Sequence, residues 1–521
     1  MGLLLINDCL KNFMSNDLPG GASPAQPWDK GELFCNELPT KFQPQIGRIL
    51  VTGASGYIGG RLVPELLARG YKVRAMVRAD FPEYRVLWPG AEIVTADALK
   101  IDSLKSALRG IDTAYYLIHS LHLGPRKFAA ADIHAARNFR RAAEENKIER
   151  LIYLGGLGDI RTPLSSHLRS RSEVAMELTR GQVPATILRA AVIVGSGSAS
   201  YEIIKHLVKK LPVMVIPLWA KNKCQPIAIR DVIKYLVGVL ETPGTAGRSF
   251  DIGGADVLTY EKMLKILGNL LRKKTLFIPA PFSATRFYAY TASLLTPVPD
   301  SITACLMESL KNEVICQDES IKALIPFKPL TYREAIIRAM SREEQDKVHT
   351  RWSDASFPTD ELVLKLHEIK GSPAYTASYS LVTKKTAESL FGSICKIGGR
   401  EGWFHNNWMW RLRGGIDRLL LGVGSARGRK SYSILKINDV IDFWRVEDLK
   451  DAKRLLLRSE MKLLGRAWLE FNIAQIGDRR ELRVTAYYDT NTLFGKIYWY
   501  MCLPLHHFIF YNLIRDIEER S

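Results

Sequence analysis

The sequence predicts an α/β fold, a doubly wound parallel sheet, followed by a smaller α+β domain. Three observations predict it. Apolar strand patterns alternate with helical patterns from Ile46 to about Arg342. A glycine-rich turn joins the first strand directly to the first helix. After about residue 370 the order changes to a strand, a helix, a run of strands with apolar alternation and a long closing helix.

Residues 1–45 are expected to form a loose, disordered tail. Their short apolar run has no basic residue before it and Asp8 just after it, which argues against a signal peptide. In the next stretch, RILVTGASGYIGGRLVPELLARGYKVRAMVR, an apolar strand runs into Gly53-x-x-Gly56-x-x-Gly59 and then into a helical pattern at Leu62, Leu66 and Leu67. The glycines let the backbone turn tightly and approach a pyrophosphate seated on the free amides of the helix N-terminus. Gly53, Ser55, Gly56, Tyr57, Ile58 and Gly59 are therefore the predicted cofactor cradle, in the strand, turn and helix context of the Rossmann fingerprint.

The second strand ends in Arg78, where an NAD-binding chain usually carries an acidic residue for the ribose hydroxyls. A guanidinium forms a forked pair with a 2′-phosphate, so NADP is the favoured cofactor. Asp80 lies two residues on and could read a ribose, which leaves NAD open.

The alternation continues. A third strand ends in Asp97, a fourth in His119, and RLIYLGGLG and ATILRAAVIVGSG supply two more. Ligands of such sheets gather at the carboxyl ends of the strands, which makes Asp97, His119 and Arg189 further candidate cofactor contacts. From residue 200 to 342 shorter strands and helices are expected to form a substrate subdomain. Residues 343–370 are charged and aperiodic and are expected to be a linker, and 371–521 to be the second domain.

On VTGASGYIGG, the basic end of the second strand and ILRAAVIVGSGS, the chain resembles the atypical and extended short-chain dehydrogenase/reductase superfamily over about Ile46 to Arg342. The resemblance implies a catalytic Ser at the end of the fifth strand and a Tyr-x-x-x-Lys beyond it. This chain carries Gly155-Gly156 at the first position and His167-x-x-x-Arg171 at the second. The predicted catalytic pair is therefore His167, a side chain able to act as acid or base, and Arg171, which would hold that His neutral and contact ribose or phosphate. The stretches GGREGWFHNNWMWRLRGGIDRLLLG, VIDFWRVE and MKLLGRAWLEF resemble the second domain of bacterial NAD(P)-binding proteins whose function is not established. They look like the START/polyketide-cyclase helix-grip superfamily, whose members enclose apolar ligands. That resemblance implies a small hydrophobic partner and a cavity lined by Trp403, Trp408, Trp410, Trp444 and Trp468, although core packing explains these aromatics equally well.

The net charge of +19 is spread along the chain and does not indicate nucleic acid. Seven scattered cysteines with no Cys-x-x-Cys indicate a reducing cytoplasm and no zinc site. Between Lys496 and Arg515 the last helix carries no charged side chain. Burial under the sheet is the favoured explanation, and peripheral membrane contact the alternative. Oligomeric state is not legible.

Overall fold

The computed structural model describes residues 33–521 apart from 82, 121–127, 160, 281–283, 345–349, 355–365, 367–372, 399–400, 420–421, 423, 425–434 and 462–464. Seven parallel strands form the first sheet: β1 Arg48–Val51, β2 Lys72–Val77, β3 Glu92–Thr95, β4 Thr113–Tyr116, β5 Arg150–Gly156, β6 Ala185–Ala190 and β7 Ser249–Ile252. Their spatial order is β7-β6-β5-β4-β1-β2-β3. The order therefore reverses between β1 and β4, and the glycine turn leaves the sheet at that switch point.

The central strands are largely apolar because helices cover both faces. On one face, α2 (Ile101–Leu108), α3 (Phe128–Glu145) and α4 (Ser166–Thr179) bury Leu104, Phe139 and Val174 against Leu50, Tyr116 and Tyr153. On the other, α1 (Gly59–Ala68) packs against α5 (Ile229–Glu241), burying Leu62, Leu66, Val232 and Leu236. Small pairings of two to four residues, with the helices Ala199–Lys210, Tyr260–Leu270, Thr285–Leu295 and Asp300–Ser309, build a subdomain beyond β6.

The second sheet is antiparallel. Its strands are β8 Tyr375–Thr383, β9 Val440–Ile441, β10 Trp444–Lys450, β11 Arg454–Ser459, β12 Arg466–Ile476 and β13 Arg479–Asp489, in the order β8-β13-β12-β11-β10-β9. The β12–β13 hairpin turns at Gly477-Asp478, where Gly477 takes φ +61°, a conformation open to glycine at little cost. Helices α6 (Ala387–Ile394), α7 (Asn407–Leu419) and α8 (Leu493–Glu519) accompany this sheet. Phe391, Trp410, Phe510 and Ile514 meet Phe443, Leu457, Leu469 and Val484 in its core. Thr492 caps α8 by accepting from the Gly495 amide at 3.1 Å.

Two sequence boundaries need correction. Residues 1–32 of the predicted tail lie outside the described residues, but Phe34, Cys35 and Leu38 are buried, and the Phe34 and Cys35 amides donate to the Glu65 carboxylate. Glu65 is itself buried on α1, and the chain before β1 folds back to satisfy it. Within the predicted linker, Thr350–Asp354 is packed rather than free. Thr350 donates to the Tyr57 carbonyl at 3.0 Å, Arg61 donates to the Thr350 carbonyl at 3.1 Å, and Arg445 of β10 donates to the Ser353 carbonyl at 3.0 Å. Arg61 is buried and must place its donors somewhere, and the main-chain carbonyls of Thr350, Ser196 and Tyr57 accept them.

Candidate functional site

The glycine turn has the shape of a nucleotide cradle. Gly53 takes φ +62°, and a Cβ there would lie 2.9 Å from the Leu117 carbonyl oxygen. A Cβ on Gly59 would press on the Gly53 carbonyl and lie 2.8 Å from the Ala54 Cα. The Gly56 amide closes the turn on the Gly53 carbonyl at 2.9 Å. Helix α1 begins at Gly59 with no side-chain cap; the Gly60 amide bonds the Gly56 carbonyl and the Arg61 and Leu62 amides the Ile58 carbonyl, each at 3.0 Å, so the turn winds directly into the helix. Ser55, Tyr57 and Ile58 belong to this turn, and the Tyr57 ring lies 4.2 Å from the Arg61 guanidinium.

At the end of β2, Arg78 is exposed, while Arg74 points inward and is spent on structure. Arg74 donates to the Ala107 and Arg109 carbonyls at 2.8 Å each and pairs with Glu92. Asp80, the sequence-level alternative for ribose, is engaged by Arg85 through two bonds of 3.0 and 2.6 Å. Asp97 sits half-buried after β3, its carboxylate accepting from the Leu99 amide.

The region around α4 holds His167 and Arg171, the pair expected from sequence to carry acid-base chemistry. Ser165 caps this helix by accepting from Leu168 N at 3.2 Å. His167 occupies its first turn and Arg171 lies one turn on, beneath the ends of β4 and β5. Gly156 makes that approach possible: a Cβ there would come within 3.1 Å of Leu168 Cδ2 and 3.5 Å of Arg171 Cβ. A glycine replacing the expected serine thus leaves space that the larger Arg171 fills. Arg171 is buried, donates to the Leu154 carbonyl and, at 3.4 Å, to the Ile118 carbonyl, and stacks 4.9 Å over the Tyr153 ring.

His167 Nδ1 lies 3.2 Å from Ser309 Oγ. Ser309 Oγ also lies 3.0 Å from the Cys305 carbonyl oxygen and 3.1 Å from Ser165 Oγ, so His167 Nδ1 joins a hydrogen-bonded cluster that spans the loop before α4 and the helix Asp300–Ser309. Desolvation, then the charges of Arg171 and His119, hold His167 down at about 3. His119, exposed after β4, is held at about 4 by desolvation, Arg171 and Arg78. Both imidazoles are neutral at pH 7.

His206 and His506 are also held near 4, chiefly by desolvation. An imidazole whose folded value lies below its ordinary 6.5 contributes stability above pH 6.5 and loses it as pH falls through the folded value. The melting temperature of the chain should therefore decline from pH 6.5 toward pH 4. Replacing His167 by Gln should flatten that decline in a scanning-fluorimetry series, and an unchanged slope would contradict the assignment.

Beside α4 a cavity of about 560 Å³ opens where β5, β6 and β7 end. Arg161, Arg189, Asp251, Lys311, Asn312 and Gln317 are among the residues that line it. Arg189, predicted as a cofactor contact, lies in this wall paired with buried Asp251 at 2.7 Å. Asn312 holds the loop before α4, accepting from Ser165 N at 3.0 Å and donating to the Pro163 carbonyl at 2.8 Å. Ser309, Asn312 and Gln317 escaped the sequence reading because they lie some 140 residues from His167 in an aperiodic stretch with no motif. Among the described residues no group of three or more His, Cys, Asp or Glu could hold a metal.

Residues 53–206 match a family described as NAD(P)H-binding. The first domain is an NAD(P)-binding Rossmann domain. Residues 369–513 match a family described as "Protein of unknown function (DUF2867)", so the second domain carries no printed activity. Over 297 residues the chain is 24% identical to NADH dehydrogenase [ubiquinone] 1 alpha subcomplex subunit 9, mitochondrial, of Arabidopsis thaliana, a match covering 53% of this chain and 74% of the relative. It is 26% identical over 284 residues to the divinyl chlorophyllide a 8-vinyl-reductase of Oryza sativa subsp. indica, covering 50% and 65%. Several other curated reductases and dehydrogenases are matched over about a third of their own length. A solved triphenylmethane reductase from Citrobacter sp., complexed with NADP(H), aligns over 56% of this chain and 99% of its own with 20% identity and a TM-score of 0.47.

In the second domain, Trp403, Trp410, Trp444 and Trp468 are buried core residues and Trp408 is exposed. Trp403 stacks on Trp410 at 4.4 Å between ring centres and donates to Asp442 at 2.9 Å, and Trp468 donates to Glu447 at 3.0 Å. Core packing accounts for these four rings.

Proposed function

We propose that the chain is an NADP-dependent oxidoreductase acting on a hydrophobic or lipid-like molecule without the usual Ser-Tyr-Lys set. The observation that carries the proposal is His167, neutral at pH 7 and bonded through Nδ1 to Ser309 at 3.2 Å, in a domain that also carries a glycine turn of dinucleotide-binding form. Bound NADP(H) would supply the hydride. His167 would exchange the proton, taking one from the substrate hydroxyl in the oxidising direction and, in the reducing direction, giving one that water has first supplied to it. Arg171 keeps the imidazole neutral and joins the strand ends that position it. The polar cavity at β5–β7 suits the reacting end of the substrate. Its apolar part would fall to the second domain, whose sheet and long helix suit the helix-grip arrangement proposed from sequence. Arg78 and the engagement of Asp80 by Arg85 support NADP over NAD.

One observation favours a second reading, a non-catalytic NADP-binding sensor or assembly factor: the Arg171 donors are turned to main-chain carbonyls, away from any ligand. The two readings separate with NADPH deuterated at the transferable position, incubated with the purified chain and a lipid and metabolite extract. Protein-dependent label in an apolar product, lost in His167→Ala, is the expected result. No label despite demonstrated NADPH binding would establish the sensor reading.

A further inference from the structure

Helices α7 and α8 meet through Trp410 and Phe510, 6.2 Å apart, and through Arg413 over the Tyr498 ring at 5.7 Å. Away from these contacts both helices expose apolar stripes. On α7, Trp408 is 62% exposed, Leu412 58% and Ile416 53%, one turn apart at each step. On α8, Ile497, Met501, Leu505 and Phe508 are all exposed, Met501 by 72%. Contiguous apolar surface of this kind marks an interaction site.

The charges along it are mainly basic, with acidic residues at the C-terminal end of α8, where Glu519 pairs with Arg515 at 3.5 Å and Asp516 accepts from the His405 amide at 3.0 Å. The segments 284–299, 402–416 and 490–515 contain no Asp or Glu, while carrying Arg286, Arg411, Arg413, Lys496 and Arg515. The helix Thr285–Leu295 adjoins α7, with Arg418 donating to the Leu294 carbonyl at 2.9 Å and exposed Lys210 to the Leu295 carbonyl at 2.7 Å. No described helix is long and apolar enough to cross a membrane. The inner side of α8 is already taken by the sheet through Trp499, Phe510 and Ile514. An apolar stripe with a cationic fringe and an occupied back is the pattern of a helix lying in a membrane interface, with Trp408 and Tyr500 suited to the headgroup level.

We infer that the exposed faces of α7 and α8 dock the chain on the surface of an anionic lipid bilayer. The experiment is flotation of the full chain with vesicles of phosphatidylcholine and phosphatidylglycerol, and with vesicles of phosphatidylcholine alone. The chain is expected to float with the anionic vesicles and to lose about tenfold in bound fraction at high salt, where surface charge is screened. Leu412→Glu with Phe508→Glu should abolish flotation while leaving melting temperature and NADPH binding unchanged, since both side chains face solvent. Arg411→Ala with Lys496→Ala should weaken it without touching the apolar stripe. The inference is overturned if the chain stays down with both vesicle types, if it binds both equally, or if the apolar variants float as wild type does. A concentration-dependent dimer that the same variants dissolve, without flotation, would assign the face to a second copy and overturn it as well. None of these readouts depends on whether hydride transfer occurs.

Discussion

Arg78→Glu is expected to weaken NADPH binding by about 100-fold while changing NADH binding by less than about threefold. Hydrogen bonds to charged groups contribute roughly 1.5–3 kcal/mol each, and a carboxylate would add repulsion toward the 2′-phosphate. Arg78 stands exposed where β2 ends, and neither neighbouring charge competes for that phosphate, since Arg74 is buried on carbonyls and Glu92 while Asp80 is held by Arg85. Isothermal titration with both nucleotides decides the point. Equal losses for NADPH and NADH would show that Arg78 does not read the phosphate.

Gly59→Ala should have the larger structural effect. The added Cβ would sit against the Gly53 carbonyl and 2.8 Å from the Ala54 Cα, both backbone atoms of the turn that carries the cradle. Overpacking of this kind costs about 1–3 kcal/mol, and relief requires the turn itself to move. The variant should melt lower than the parent and show no rise in melting temperature with NADPH, whereas the parent should show one. Gly392→Ala in α6 is the contrasting case. Nothing lies within 4 Å of its Cβ position, and a helical glycine replaced by alanine should gain roughly 0.5–1 kcal/mol. If Gly59→Ala retained the NADPH-dependent rise, the turn would not be the cofactor site.

Much of the first domain was legible because its signals are local. The glycine spacing, the apolar strands and the basic end of β2 each lie within about ten residues, the range over which backbone geometry and periodicity act. The place of His167 in the chain was legible for the same reason, since it falls where the superfamily pattern sets its acid-base residue. Its state was not. The Nδ1 partner, Ser309, comes from another helix, and the Arg171 donors reach carbonyls of two different strands.

The tryptophans of the second domain show the same division. Their spacing fits a core and a cavity lining equally, because both need large apolar side chains on one face of an element. Only packing separates them: it buries Trp403, Trp410 and Trp444 against one another and against Phe443 and Phe510, and buries Trp468 with its ring N–H on Glu447.

The sequence by itself determined the doubly wound sheet and the glycine turn that joins its first strand to its first helix, because these depend on residue identity at short spacing. Tertiary structure alone decided which arginines are spent on carbonyls, where Arg189 lies, how Thr350–Asp354 straps onto the glycine turn, and which sides of α7 and α8 face water. Each of these is a contact between segments far apart in the chain, and its partner is chosen by burial and hydrogen-bond satisfaction once the chain has folded.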